Sequence, residues 1–220
     1  MAINTYAALL TAVSDYIGKR TDLGDVDDDF VILAEARLNY GDYGDAFATQ
    51  PLRVRQMEAR ATASPTGEYI ALPTDFLEIK ALKDTAANRA LQPVPSGMFD
   101  KTLSSASSGA PVYYDIVGGE IRLNPVSSSA TLEILYYQSI PPLASNDPNW
   151  LLTANPAVYL YGCLLEAAIY IDENEDIAKY GNLYAGLLRG MQMSGSDSGR
   201  GQPMAMQSGV VLAQSSRVRI

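Results

Sequence analysis

The sequence contains no histidine and only one cysteine among its 220 residues. Without histidine, neither a Ser-His-Asp nor a Cys-His catalytic group can form, and no metal can be held by imidazole. A single cysteine supports neither an intrachain disulfide nor a cysteine-rich zinc site. These absences exclude the commonest kinds of nucleophilic and metal-dependent chemistry, and we expect the protein to need no cofactor.

Long apolar runs and positive charge are also scarce. The N-terminal sequence MAINTYAALL lacks the basic flank and the apolar run of a signal peptide. The most apolar stretch, residues 156–171, is shorter than the roughly 20 residues that span a bilayer. We therefore expect synthesis in the cytoplasm and no membrane contact. The formal net charge of −9 argues against tight binding of nucleic acid, and is compatible with a surface that DNA passes without adhering.

The pattern closest to a metal motif is the alternation of Asp25, Asp27 and Asp29. A calcium loop that begins at Asp25 needs glycine at its sixth position and glutamate at its twelfth, where this sequence has Phe30 and Ala36. The aspartates are better explained as the acidic start of a helix, which the helix dipole favours. No Gly-rich phosphate loop precedes a helix, and the sequence predicts a protein that is not an enzyme.

Residues 155–191 predict an αα-hairpin, around which the rest of the fold is organised. Asn155 can cap its first helix, and Pro156 suits the first helical position. Nearly every residue from 156 to 171 is apolar, which indicates a helix buried on all sides, in a thick core or between subunits. Its one charge is Glu166. A raised pKa would suit a general acid, but we expect a buried pair with an arginine across a subunit contact. The second helix, residues 173–191, has an apolar stripe of Ile177, Tyr180, Tyr184, Leu187 and Met191.

Two further helices precede a region of strands. Thr5 is predicted to cap the first helix, residues 5–18, and the second helix spans residues 28–40. An antiparallel β region over about residues 53–138 follows, so the predicted fold class is α+β. The two N-terminal helices and the αα-hairpin are expected to form a helical bundle, with the β region inserted between them.

Turn residues divide the β region into strands. Residues 53–62 and 68–72 flank a turn and are predicted to form a hairpin, and residues 76–82 form another strand. Prolines and glycines between residues 93 and 109 predict a loop. Gly118 and Gly119 join strands 112–117 and 120–123 in the strongest hairpin signal of the chain, and residues 131–138 alternate cleanly as a third strand.

Tyrosine pairs at residues 113–114 and 136–137 invite comparison with a platform on which bases stack. No lysine or arginine is interleaved with either pair. Packing between neighbouring strands is therefore the preferred interpretation.

The chain is predicted to divide into a folded domain, residues 1–191, and an extended C-terminal arm, residues 192–220. Residues 194–209 are mostly Gly, Ser, Met and Gln and cannot form a core of their own. Apolar and basic residues follow, which is typical of a segment that docks on a partner, for example by adding to a sheet edge. The candidate partner-binding residues are Val210, Val211, Leu212, Arg217, Val218, Arg219 and Ile220.

Several segments, in this order, resemble the head-to-tail adaptor (connector) proteins of tailed bacteriophages and related gene-transfer particles, a group that includes the tail tubular proteins. FVILAEARLNYGDY (30–43) is similar to the family's second helix, and ALPTDFLEIKAL (71–82) to its Pro-Thr-Asp-Phe corner. APVYYDIVGGEIRLNP (110–125) is similar to its Gly-Gly hairpin. LEILYYQSIPPL (132–143) and NWLLTANPAVYLYGCLLEAAIYI (149–171) are similar to its closing strand and final helices. The resemblance extends over about residues 5–191.

The resemblance implies a structural virion protein, made in the host cytoplasm and located in the neck at the head–tail interface. Members of that family form a homo-oligomeric ring, usually of twelve copies, under the portal protein. They join it to the tail or to tail-terminator or nozzle proteins, and line the channel through which DNA passes without sequence-specific binding. The arm would then bind the portal or a neighbouring subunit. The residues alone leave a second interpretation open, a non-viral soluble assembly or binding module without catalytic activity.

Overall fold

A computed structural model of the protein describes residues 2–19, 23–24, 26–41, 49–65, 67–102, 108–127 and 129–197. Within these ranges the fold is α+β, as predicted, with six α-helices and two β-sheets. The helices are α1 (Tyr6–Tyr16), α2 (Asp27–Tyr40), α3 (Ser96–Thr102), α4 (Trp150–Ala154), α5 (Pro156–Ile171) and α6 (Asn174–Asp197). A short 3-10 helix, Arg55–Met57, precedes the first strand.

Eight strands in the described part of the chain form the two sheets. The strands are β1 (Glu58–Ala63), β2 (Tyr69–Ala71), β3 (Phe76–Asp84), β4 (Arg89–Ala90), β5 (Gln92–Pro93), β6 (Tyr113–Val117), β7 (Glu120–Asn124) and β8 (Leu132–Gln138). Sheet I has the order β1-β8-β3-β4 and is antiparallel throughout. Sheet II has the order β2-β7-β6-β5, in which only the β5–β6 pair is parallel.

The local sequence accounts for where several helices begin. The Thr5 hydroxyl accepts a hydrogen bond from Ala8 N at 3.2 Å, which confirms the predicted cap of α1. Pro156 is the first residue of α5, as predicted, but the Asn155 side chain makes no capping hydrogen bond. Asn155 already ends α4, because its N–H donates to Leu151 O. The side chain that caps a helix here is Asn149, whose Oδ1 accepts from Leu152 N at 2.9 Å.

Helix α5 is the centre of the bundle and packs against α1, α2, α4 and α6. Its residues from 158 to 168 are all buried apart from the half-buried Tyr161, whereas Ile169 and Tyr170 near its end are exposed. A Cβ at Gly162 would lie 3.2 Å from Ala34 Cβ in α2 and 3.3 Å from Tyr184 Cε2 in α6. Glycine at this position therefore allows α2 and α6 to pack closely on α5.

The β region has a core of its own between the two sheets. Its buried residues come from both sheets and include Ile70, Leu82, Tyr114, Ile121, Leu123, Leu132, Ile134 and Tyr136. Leu77 and Tyr137 of sheet I instead pack against the helical core, so sheet I lies between the helices and sheet II. This alternation along β8 agrees with the strand pattern predicted for residues 131–138.

The chain enters and leaves the β region at the end of α2. Before the first strand, Leu52 N donates to Leu38 O at 2.9 Å, and Arg53 Nη1 donates to Asn39 O at 3.1 Å. After the last strand, Ile140 N donates to Asn39 Oδ1 at 3.0 Å. The last turn of α2 thus holds both ends of the inserted β region, which agrees with the predicted insertion into a helical bundle.

Two predictions of strand pairing need correction. Residues 68–72, predicted to form a hairpin with 53–62, contain β2, which pairs with β7 in sheet II. Ile70 lies opposite Ile121 in this pairing and is buried in the β core. The predicted third strand, β8, lies between β1 and β3 in sheet I rather than beside the Gly-Gly hairpin, which forms β6 and β7 as predicted.

Three helical segments also differ from prediction. The loop predicted over residues 93–109 contains α3, whose Phe99 is buried. Residues 150–154, which directly precede the predicted αα-hairpin, form a further helix, α4. Helix α6 continues to Asp197 rather than ending at residue 191, so the first residues of the predicted arm are helical.

Candidate assembly surface

The predicted partner-binding residues lie outside the described part of the chain. They are Val210, Val211, Leu212, Arg217, Val218, Arg219 and Ile220, and all follow Asp197, the last described residue. Their role remains a prediction. The segment to which they are attached is α6, in which Ser194 Oγ donates to Met191 O at 2.9 Å within the helix.

Of the three alternating aspartates, Asp27 and Asp29 lie at the start of α2, and Asp25 is outside the described residues. Asp27, Asp28 and Asp29 occupy the first turn, where the helix dipole favours carboxylates. Asp28 accepts a hydrogen bond from the Tyr6 hydroxyl of α1. Burial and this carboxylate both raise the pKa of the Tyr6 hydroxyl. Among the described residues no group of three or more His, Cys, Asp or Glu side chains is placed to hold a metal ion.

Glu166 is buried and paired with an arginine, as predicted, but the arginine belongs to the same chain. Arg37 Nε of α2 lies 2.7 Å from Glu166 Oε1. The expected pair across a subunit contact is therefore wrong. Sequence spacing could not identify Arg37, because 129 residues separate the two side chains. The pair connects α2 to α5, so the Glu166 carboxylate has a structural partner.

A second buried polar cluster connects α2 to the segment before α4. Glu35 Oε1 accepts from Leu143 N at 2.7 Å and from the Tyr159 hydroxyl at 3.0 Å. Asn149 Nδ2 donates to the same hydroxyl at 2.6 Å. Burial raises the pKa of Glu35, although the hydrogen bonds from Leu143 N and from the Tyr159 hydroxyl lower it. Every polar group in this cluster has a structural partner, so its arrangement stabilises the fold.

The tyrosine pairs pack between strands, as preferred from the sequence. Tyr136 is buried, and its ring stacks on Phe76 at 5.8 Å between centroids. Basic groups do approach Tyr137, although none is near it in sequence. Arg53 Cζ lies 5.8 Å and Lys80 Nζ 5.3 Å from the centroid of its ring. Tyr136 and Tyr137 therefore contact side chains of the same protein, and Tyr114 is buried in the β core.

Exposed large apolar side chains of the bundle occur on α1, α2, α5 and α6, and α2 carries three of them. Ile32, Leu33 and Tyr40 project from α2, and Leu183 and Met193 from α6. The inward residues of α2 and α6 could be predicted from the sequence, whereas the role of their outward apolar residues could not. On α2 the signal is a second apolar stripe through Leu33 and Tyr40, which becomes meaningful only when the first stripe is known to be buried.

A groove of about 410 Å³ adjoins the exposed side of α6. Gly186, Leu187, Gly190 and Met191 of α6 line one side of it. The 3-10 helix and the residue before it line the other side, with Val54, Arg55 and Gln56. Asn155, Val158 and Ser194 complete its lining, so the groove is lined by small, apolar and polar residues together with Arg55.

Comparison with known proteins identifies the kind of protein to which these surfaces belong. Within the described residues, no helix combines the length and the apolar character needed to cross a membrane. A comparison with curated proteins finds no match. The sequence profile of the SU10 adaptor proteins matches residues 4–207, which include all six described helices and both sheets. This agrees with the resemblance to phage head-to-tail adaptors noted in the sequence, and the chain belongs to the SU10 adaptor protein family.

Proposed function

We propose that this protein is the structural head-to-tail adaptor of a tailed bacteriophage. The observation that carries the proposal is the match of the SU10 adaptor profile over residues 4–207. The profile covers both the helical bundle and the β region, rather than either part alone. The proposed role is structural, without enzymatic activity or a cofactor.

In this proposal twelve copies form a ring under the portal protein. The ring joins the portal to the tail, or to tail-terminator or nozzle proteins, and encloses the channel through which the genome leaves the head. The protein is located in the neck of the virion and contacts DNA only during passage. Support comes from the family and from exposed apolar residues on α2 and α6, which a monomer would leave in water.

The charge of the chain suits such a channel. The sequence has 25 acidic against 16 Lys and Arg residues. Part of this acidic excess is expected to face the channel, because like charge keeps DNA from adhering as it moves. A ring whose channel is lined mainly by lysine and arginine would contradict this part of the proposal.

The arm is proposed to attach the ring to its neighbour in the particle. Val210, Val211 and Leu212 have strand-forming side chains and are proposed to add to an exposed sheet edge of the portal or of an adjacent subunit. Arg217, Val218, Arg219 and Ile220 would place charges against an acidic surface and apolar groups in pockets. The arm would become ordered only on assembly.

The deciding experiment measures the mass of the purified protein alone and after mixing with portal protein. Native mass spectrometry should detect a closed ring, or a stoichiometric complex with the portal. Electron microscopy of the assembled particles should then locate the protein between portal and tail. A compact monomer that binds neither the portal nor a tail protein would contradict the adaptor role and favour the soluble assembly module.

A further inference from the structure

Helix α2 carries an exposed seam opposite its buried face. Asp29, Leu33, Ala36 and Tyr40 follow one another at spacings of four, three and four residues, and all are exposed. Leu33 is 50% and Tyr40 68% exposed. An apolar stripe with this spacing is typical of a helix that packs against another helix. We call these four residues the α2 seam.

Helix α6 carries a second exposed seam with the same spacing. Lys179, Leu183, Gly186 and Gly190 again follow at four, three and four residues, and all are exposed. A Cβ at Gly186 or Gly190 would meet no atom within 4 Å, so the helix surface is open there. Both glycines also line the groove beside the 3-10 helix. We call these four residues the α6 seam.

The two helices run in the same direction within one chain. Contacts between α2 and α5 join Phe30 to Tyr170, Ala34 to Gly162 and Glu35 to Tyr159, so α5 numbers fall as α2 numbers rise. The long Arg37 side chain departs from this order because it extends back towards the start of α2 to contact Glu166. Helices α5 and α6 are joined by only Asp172 and Glu173, and form an antiparallel hairpin. Since α2 and α6 both run opposite to α5, they are parallel. Rotation about a ring axis preserves the direction of each helix along that axis, so neighbouring copies also present α2 and α6 in parallel.

We propose that the α2 seam of one copy packs against the α6 seam of the neighbouring copy. The equal spacing places Asp29 beside Lys179, Leu33 beside Leu183, Ala36 beside Gly186, and Tyr40 beside Gly190. The inference rests on the ring proposed above and specifies the two surfaces that close it. A ring contact is head-to-tail, so each copy must present one surface and accept it with a different one. The two seams satisfy that requirement.

Charge and shape are complementary in this register. The Asp29 carboxylate at the start of one seam meets the Lys179 ammonium at the start of the other, beside Asp176, which Lys179 contacts at 3.3 Å within its own helix. The added opposite charge favours the correct alignment. Gly186 and Gly190 allow the two backbones to approach closely. The Tyr40 ring enters the groove beside Gly190, and tyrosine is one of the residues enriched where protein surfaces meet.

The first test replaces Leu33 by aspartate. Leu33→Asp places an unpaired carboxylate in the contact and should raise the protein concentration needed for assembly by at least about tenfold. Val117→Asp is the matched control, because it adds the same charge at another exposed apolar residue, at the β6–β7 turn. Both variants should have the melting temperature of the wild type. Normal assembly of Leu33→Asp would overturn the seam contact.

The second test uses disulfide crosslinking between neighbouring copies. Ala36→Cys combined with Gly186→Cys should give a ladder of covalent oligomers on oxidation, whereas Leu33→Cys with Gly186→Cys should give little. The native Cys163 is buried and does not compete. A ladder from the second pair alone would overturn the parallel register. No ladder from either pair, in particles that are rings by electron microscopy, would overturn the seams and leave the ring intact. A wild-type protein that stays monomeric even with portal protein would overturn both.

Discussion

Arg37 and Glu166 form an ion pair inside the bundle, with 2.7 Å between Nε and Oε1. Their side chains are only 14% and 8% exposed, and they belong to α2 and α5. Taking both charges out of water is costly, and their mutual attraction offsets that cost only while both are present. The pair therefore makes the packing of α2 on α5 sensitive to the loss of either partner.

Glu166→Ala should lower the free energy of unfolding by about 3 to 5 kcal/mol, because it removes the carboxylate that the buried Arg37 guanidinium contacts at 2.7 Å. Glu58→Ala is the comparison, since it removes the partner of Lys80 in a more exposed pair and should cost less than about 1 kcal/mol. Urea unfolding of both variants gives the measurement. Equal losses would contradict the special sensitivity of the buried pair.

The apolar core of α5 makes its leucines costly to truncate. Leu164→Ala and Leu165→Ala should each lower the free energy of unfolding by about 2 to 5 kcal/mol, because both side chains are fully buried. Ile169→Ala, at an exposed position of the same helix, should cost much less. Denaturant unfolding compares the three variants. A loss below about 1 kcal/mol at either leucine would show that the core is misassigned.

Substitution by alanine should have opposite effects on stability at Gly162 and Gly186, because only Gly162 is closely packed. Gly162→Ala should cost about 1 to 3 kcal/mol, because its Cβ would lie 3.2 Å from Ala34 Cβ and 3.3 Å from Tyr184 Cε2. Gly186→Ala should instead stabilise the unassembled chain by about 0.5 to 1 kcal/mol, since alanine is the better helix former and its Cβ meets no atom. Thermal unfolding in dilute solution distinguishes the two. Stabilisation by both would contradict the close packing.

Glu35 should make stability depend on pH. Burial raises the pKa of Glu35 in the folded state above the ordinary glutamate value of 4.5. Its favourable contribution is therefore complete below that ordinary value and is lost as the pH rises through the raised pKa. Glu35→Gln keeps an oxygen that can accept from Leu143 N and Tyr159. The variant should gain stability relative to wild type as the pH rises from about 4 to about 8, measured by urea unfolding. If the difference in unfolding free energy between Glu35→Gln and wild type did not change with pH, the raised pKa of Glu35 would be contradicted.

Removal of the arm should abolish binding to the portal without affecting the folding of the remaining domain. Because α6 extends to Asp197, the cut belongs after that residue, and deletion of residues 198–220 should leave the free energy of unfolding unchanged. The truncated protein should fail to bind portal-bearing heads. Arg217→Glu with Arg219→Glu in the full-length chain serves as the companion variant, and should weaken binding if these charges face an acidic surface. Normal attachment of the truncated protein would show that the arm is not the anchor.

The elements predicted correctly are those whose signal is local. The turn at Gly118 and Gly119, the alternation along β8 and the apolar length of α5 depend on neighbouring residues alone. The partner of β2 could not be predicted this way. Its three residues follow a turn that favours a hairpin with β1, but burial of Ile70 opposite Ile121 in the β core determines its place. Pairing between distant strands depends on which faces the whole chain can bury.

Helix α3 could not be predicted from the sequence, because prolines and a glycine lie before and within it. Pro95 precedes the helix and Gly97 lies inside it, and both are typical of loops. Phe99 is nevertheless buried, with Arg122 Cζ 4.7 Å from the centroid of its ring. For the candidate assembly surface, the spacing of exposed residues is present in the sequence, but recognising it requires knowing which face of α2 and α6 the bundle has already covered.

The last turn of α2 holds the chain both where it enters the β region and where it leaves, through Leu38 and Asn39. The two ends of the inserted region, at residues 52–53 and at residue 140, are thus brought to a single point on the bundle. Insertions, deletions or exchange of loops within that region can alter its outer surface without displacing the helices. Sequence changes in the β region can therefore adapt its surface to a new binding partner, while the helical bundle keeps its existing contacts.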